Sequence, residues 1–209
     1  LRHKAISDAI RETPHQDVQV YYYIELNHVK KSMENERPTI VNTVLPNIKT
    51  DYVSWSSYDV TTEAAKLGGE KGRRIVIDAL NYIEKHLPES DIPGKRVFVG
   101  EYGFNLQQVA NAEIQKDCSA LMMQWCLEWG CPFILYWELY CNEIEASTGE
   151  HRGFWLIDKD GEKQPAWDLH RDFLKKANRY VKRFEKRKGR MPSQAEYNGV
   201  AAAWLEKLK

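Results

Sequence analysis

The chain has 209 residues, enough for one domain with a real core, and its 30 Lys and Arg balance its 30 Asp and Glu. A zero net charge supplies no overall field to draw nucleic acid or an anionic membrane, so neither is expected as a partner. No apolar run approaches the about 20 residues that span a bilayer, and no CxxC pair or His–acid spacing points to a metal or cofactor.

The first predicted element is a helix over Leu1 to Glu12, with Ala5, Ile6, Ala9 and Ile10 on one face and Pro14 ending it. The sequence opens without an initiator Met and already in helical spacing, which reads as an internal cut. A secreted or periplasmic location would follow from a leader lost upstream. Val18 to His28 is rich in β-formers and predicts a buried strand. Arg37 to Lys49 predicts a modest helix, with Pro38 in its first turn and Pro46 limiting its far end. Asp51 to Asp59 predicts a second strand, and Lys71 to Leu87 a long helix whose stripe is Val76, Leu80, Ile83 and Leu87.

A third strand is expected over Arg96 to Gly103 and a second long helix from Gln107 to Trp129, closed by Gly130. Pro132 to Tyr140 predicts a fourth strand, Asp158 to Lys163 a turn, and Pro165 to Lys186 a helix. The basic run KRFEKRKGR reads as a solvated linker face rather than a nucleic-acid patch. Ser193 and Glu196 stand at capping-box spacing ahead of an appended C-terminal helix. Cys118 and Cys126 lie eight apart on a helix, about 12 Å by rise. Cys131 and Cys141 bracket a predicted strand, about 30 Å apart. Neither pair meets disulfide geometry, and all four read as buried free thiols.

Strands therefore alternate with helices, which predicts an α/β fold with parallel crossovers, either doubly wound or a (β/α) barrel. No GxGxxG or GxxxxGK loop follows a strand, which argues against nucleotide binding. Polar and aromatic residues collect instead at strand ends. They are Glu25 and Asn27, Tyr58 and Asp59, Glu101, and Trp137 with Glu138. The C-terminal rim is where barrel enzymes keep their sites.

VFVGEYGF, DYVSWSSYD, FILYWELY and GFWLIDKDGEKQPAW occur in an order and at spacings that resemble retaining glycoside hydrolases of the (β/α)8 clan that includes family 5 cellulases and mannanases. The resemblance implies that residues 1–178 are the C-terminal half of a TIM barrel, strands five to eight, and that 179–209 are a basic linker and C-terminal helical extension. It implies Glu101 as the nucleophile, Tyr58 as the tyrosine that holds it, and Trp137 as the floor of the subsite beside the cleaved bond. The clan's acid/base glutamate ends strand four, which this sequence does not include. The implied partners are a carbohydrate substrate and either the other half-barrel or a second copy of this chain.

A retaining hydrolase needs two carboxyl groups about 5–5.5 Å apart. Glu101 suits the attacking role, with Val97 and Val99 expected on its side of the strand and Gly100 permitting a close neighbour. The competing reading is a strand-end carboxylate with a structural partner. Glu25 is the local candidate for a substitute acid, provided burial raises its pKa. Otherwise Glu25 and Asn27 suit hydrogen bonds to sugar hydroxyls. Trp55 either lines the cleft or packs outward, and Glu138 is expected to point away from it. His28 and His151 fall in predicted loops with no ligand spacing. A non-catalytic carbohydrate-binding barrel fragment is the alternative function, and a complete small α/β protein with a structural Glu101 is a third.

Overall fold

The computed structural model describes residues 2–14, 18–25, 28–35 and 37–208. Four parallel strands form one sheet: β1 (Tyr21–Ile24), β2 (Tyr52–Ser56), β3 (Val97–Tyr102) and β4 (Ile134–Tyr136). They stand side by side in chain order, so each crossover moves to the next position in the same direction. The helices are α1 (Arg2–Arg11), α2 (His28–Asn35), α3 (Tyr58–Leu67), α4 (Gly69–Glu84), α5 (Ala112–Trp129), α6 (Pro165–Lys188) and α7 (Gln194–Leu205).

The two sheet faces differ. Val53, Trp55, Val97 and Val99 share a core with Val76, Leu80 and Ile83 of α4 and with Met122, Trp125 and Cys126 of α5. The other face carries an aromatic layer: Tyr21 stacks on Tyr52 at 5.5 Å between ring centres, and Phe98 meets Tyr21 and Phe133 edge-on at 5.6 and 5.3 Å. Tyr21, Phe133 and Leu135 remain 43%, 44% and 51% exposed, so no element covers that face among the described residues. The four cysteines are buried and free.

Several elements depart from expectation. The strand expected over Val18 to His28 is only β1, and His28 starts α2. Arg37 to Lys49 is not one helix but a π turn (Ile40–Val44) followed by a 3₁₀ turn (Leu45–Asn47). Pro46 has no N–H to continue an α ladder, which breaks the run. The strand expected to reach Asp59 stops at Ser56, and α3 begins two residues later. β4 has three residues where nine were expected. Gln107 to Ala110 precede α5, whose N-cap is Asn111, with its side chain accepting from the Ile114 N–H at 3.0 Å.

The basic run is not a linker. Leu169, Phe173, Ala177 and Phe184 continue one buried stripe along α6, and no Gly or Pro interrupts the helix before Gly189, which caps it in the left-handed conformation. The boundary expected after residue 178 falls inside this helix. α7 then packs on α5 and α6, burying Ala201 and Leu205 completely, so it belongs to the same core.

Candidate active site

The site is created by a register shift. Val53, Ser54 and Trp55 of β2 pair with Val97, Phe98 and Val99 of β3, but Ser56 pairs with Glu101. One extra residue on β3, Gly100, forms a bulge. A Cβ on Gly100 would overlap the Ser54 hydroxyl, so glycine lets β2 and β3 pack closely at the bulge. Strict alternation would keep Glu101 on the side of Val97 and Val99, as expected from the sequence. The bulge turns it instead to the uncovered face, and Tyr102, 1% exposed, enters the core behind it.

There Glu101 is half-buried. Its Oε1 accepts from the Tyr23 hydroxyl at 2.7 Å. Its backbone carbonyl accepts from the Ser57 N–H and hydroxyl, both at 2.9 Å, which fixes the strand end. The tyrosine on Glu101 is thus Tyr23, not Tyr58. Tyr58 is the first residue of α3, with its ring edge-on to Phe154 at 5.7 Å. Its hydroxyl is buried and has no hydrogen-bond partner among the described residues. Burial, then the charges of Glu101 and Glu143, push its pKa far up, so it is a neutral donor.

Trp137 follows β4 directly. Its backbone N–H donates to the Tyr102 carbonyl at 2.7 Å, and its indole Nε1–H donates to Glu143 Oε1 at 3.0 Å. Gly103 is needed beside it, because a Cβ there would overlap the Trp137 carbonyl oxygen. Glu143 lies in the 139–153 loop and faces Arg152 at 3.5 Å. Buried Gln115 of α5 ties this loop to the end of β3, donating to the Phe104 and Gly153 carbonyls at 2.5 and 2.8 Å.

These residues line a cleft of about 460 Å3 at the C-terminal ends of the strands. Tyr23, Glu25, Ser56, Tyr58, Glu101, Trp137, Glu143 and Arg152 all contribute to it, with Asn105 and Gln108 at one side. Three carboxylates face one guanidinium, so the cleft favours neutral ligands over acidic ones. The structure therefore brings Glu25, Tyr58, Glu101 and Trp137 together. Glu25 is exposed, and its charge and that of Glu101 both act on Tyr23.

Asn27 lies outside the described residues. Trp55 does not line the cleft. It is fully buried in the helix-covered core, where its indole N–H has no hydrogen-bond partner among the described residues. Glu138 does not line the cleft either, and burial followed by the charge of Glu143 raises its pKa. His28 heads α2, and His151 lies beside the Trp155 ring at 5.7 Å. Among the described residues no three His, Cys, Asp or Glu side chains gather to hold a metal ion. Tyr23, Ser56, Glu143 and Arg152 are among the lining residues that sequence reasoning missed, as are Asn105 and Gln108. For Tyr23 a signal existed, since it stands two positions after Tyr21 on the same strand face. No family model, curated protein or solved structure matches the chain.

Proposed function

We propose that this chain is half of a (β/α)8 glycoside hydrolase barrel, strands five to eight, acting with retention on a β-linked oligo- or polysaccharide. The observation that carries the reading is Glu101 at a parallel strand end, held by a tyrosine hydroxyl in a cleft that also contains Trp137. The strand order supports it. A doubly wound sheet reverses its order and covers both faces, whereas a barrel segment advances in one direction with helices outside only. On this reading the uncovered Tyr21, Tyr52, Phe98 and Phe133 layer is barrel interior.

In the proposed reaction a Glu101 oxygen attacks the anomeric carbon as the bond to the leaving oxygen breaks, and a second carboxylic acid protonates that oxygen. Water then attacks the same carbon, giving its proton to that second carboxylate as the bond to Glu101 breaks. Trp137 offers an apolar indole face to the C–H face of a pyranose. On this reading four further strands complete the barrel beside β1 and β4 and carry the general acid.

The test separates the nucleophile from the acid. A 2,4-dinitrophenolate leaves without protonation, so 2,4-dinitrophenyl 2-deoxy-2-fluoro-β-cellobioside or β-mannobioside needs only the nucleophile. The expected result is a mass gain of one fluoroglycosyl group on Glu101, absent in Glu101→Gln. A folded wild-type chain that gains no mass, or an equal gain in Glu101→Gln, would overturn the reading.

A further inference from the structure

We infer that Glu143 is a positioning residue for Trp137, setting the plane of its indole over the cleft. What that plane then does for a sugar rests on the glycoside-hydrolase reading above. The position itself rests on geometry alone.

The loop after β4 folds back as a hairpin. The Glu145 N–H donates to the Glu150 carbonyl at 2.8 Å, and the Arg152 N–H donates to the Glu143 carbonyl at 3.0 Å. This ladder returns Glu143 beside Trp137, where Oε1 accepts the indole N–H at 3.0 Å. Oε2 faces the Arg152 guanidinium at 3.5 Å, and Arg152 also reaches Glu145 at 3.3 Å. The Leu106 N–H donates to the Arg152 carbonyl at 3.0 Å, which anchors the hairpin to the loop after β3.

Three consequences follow. The indole cannot turn about its side-chain bonds without breaking a directional bond to a carboxylate. Its N–H is already satisfied, so Trp137 presents ring face rather than a donor to a ligand. The Arg152 guanidinium faces the other oxygen of Glu143, so the acceptor is itself held from a second side. Backbone bonds and the Arg152–Glu145 pair keep the hairpin folded without the Glu143 side chain.

The test compares Glu143→Ala, which has no acceptor, with Glu143→Gln, which keeps a carbonyl oxygen. Indole 15N–1H spectra of the full chain are recorded, with Trp137→Phe to assign the resonance. The expected result is a shift of the Trp137 resonance in Glu143→Ala and near-identity in Glu143→Gln. Titration with cellotriose and mannotriose is expected to show about ten-fold weaker binding in Glu143→Ala only. The labelling rate of Glu101 at saturating reagent should stay unchanged while the half-saturating concentration rises. An unmoved Trp137 resonance in Glu143→Ala, or equal losses in both variants, would overturn the inference. A wild-type chain that binds neither sugar would defeat the functional reading, and the indole resonance would still decide the role of Glu143.

Discussion

The Tyr23 hydroxyl reaches across β2 to donate a 2.7 Å hydrogen bond to Glu101 Oε1, joining the first and third strands of the sheet at their C-terminal ends. The bond is to a carboxylate, and such bonds contribute about 1.5–3 kcal/mol. Tyr23 is 43% exposed, so its ring contributes little to the core. Tyr23→Phe is therefore expected to slow fluoroglycoside labelling of Glu101 by about ten-fold or more, with a loss of stability in urea no larger than that one bond accounts for. Labelling at the wild-type rate would mean that the bond does not orient Glu101.

Gly100 makes a second, sharper prediction. A methyl group there overlaps Ser54 Oγ, so Gly100→Ala must turn the Ser54 hydroxyl aside or shift the two strands. Overpacking of this kind costs about 1–3 kcal/mol. Ser54→Ala removes the atom that is struck, so the double variant should regain part of that loss. Equilibrium urea unfolding of the two single variants and the double variant forms a cycle. Additive losses would show that the contact with Ser54 is not the reason for glycine.

The alternation of strands and helices was legible because long apolar stripes such as Val76, Leu80 and Ile83 have an unambiguous period. Glu101 and Trp137 were legible as residues that close apolar strands. The side to which Glu101 points was not, since a two-residue period cannot register one extra residue, and a single bulge reverses everything after it. Tyr58 lines the cleft as expected, but from the start of α3 rather than the end of β2, because the β-forming run from Tyr52 continues into residues that start α3 and local propensity does not mark that change. Trp55 was ambiguous for the same reason: burial depends on which face of β2 the helices cover. Glu143 had no periodic signal at all, being a loop residue positioned by a hairpin that forms over a handful of backbone bonds.

The C-terminal helix was expected as an appendage, and the structure makes it part of the core. Its capping box is present as the sequence indicated: the Ser193 side chain accepts from the Glu196 N–H at 3.3 Å, and Glu196 accepts from the Ser193 N–H at 2.8 Å. Loss of an N-cap hydroxyl costs about 1 kcal/mol. Ser193→Ala should lower global stability by that amount, seen in the same cooperative transition as the rest of the chain. An independent, separate melting of α7 would contradict its inclusion in the core. Removing residues 190–209 should do more, because it uncovers the α5 surface that Ala201 and Leu205 bury, and the truncated chain is expected to aggregate.

His170 makes stability depend on pH in a defined direction. Its Nδ1–H donates to the Ala166 carbonyl at 2.6 Å, so the neutral ring presents Nε2 as an acceptor for the Tyr102 hydroxyl at 3.1 Å. Burial of the ring holds its pKa below the ordinary value of 6.5, and the Ala166 bond offsets only part of that. In the unfolded chain the ring titrates near about 6.5. Above that pH both states are neutral and the contribution to stability is fully present. As pH falls below it, the unfolded chain takes up the proton first and the contribution is lost. Protonation in the folded state would also turn Nε2 into a donor and break its bond from Tyr102. Urea midpoints at pH 7.5 and 5.5 should therefore fall further for wild type than for His170→Gln, which carries no titrating group there. Equal falls in the two proteins would assign the acid sensitivity elsewhere in the chain.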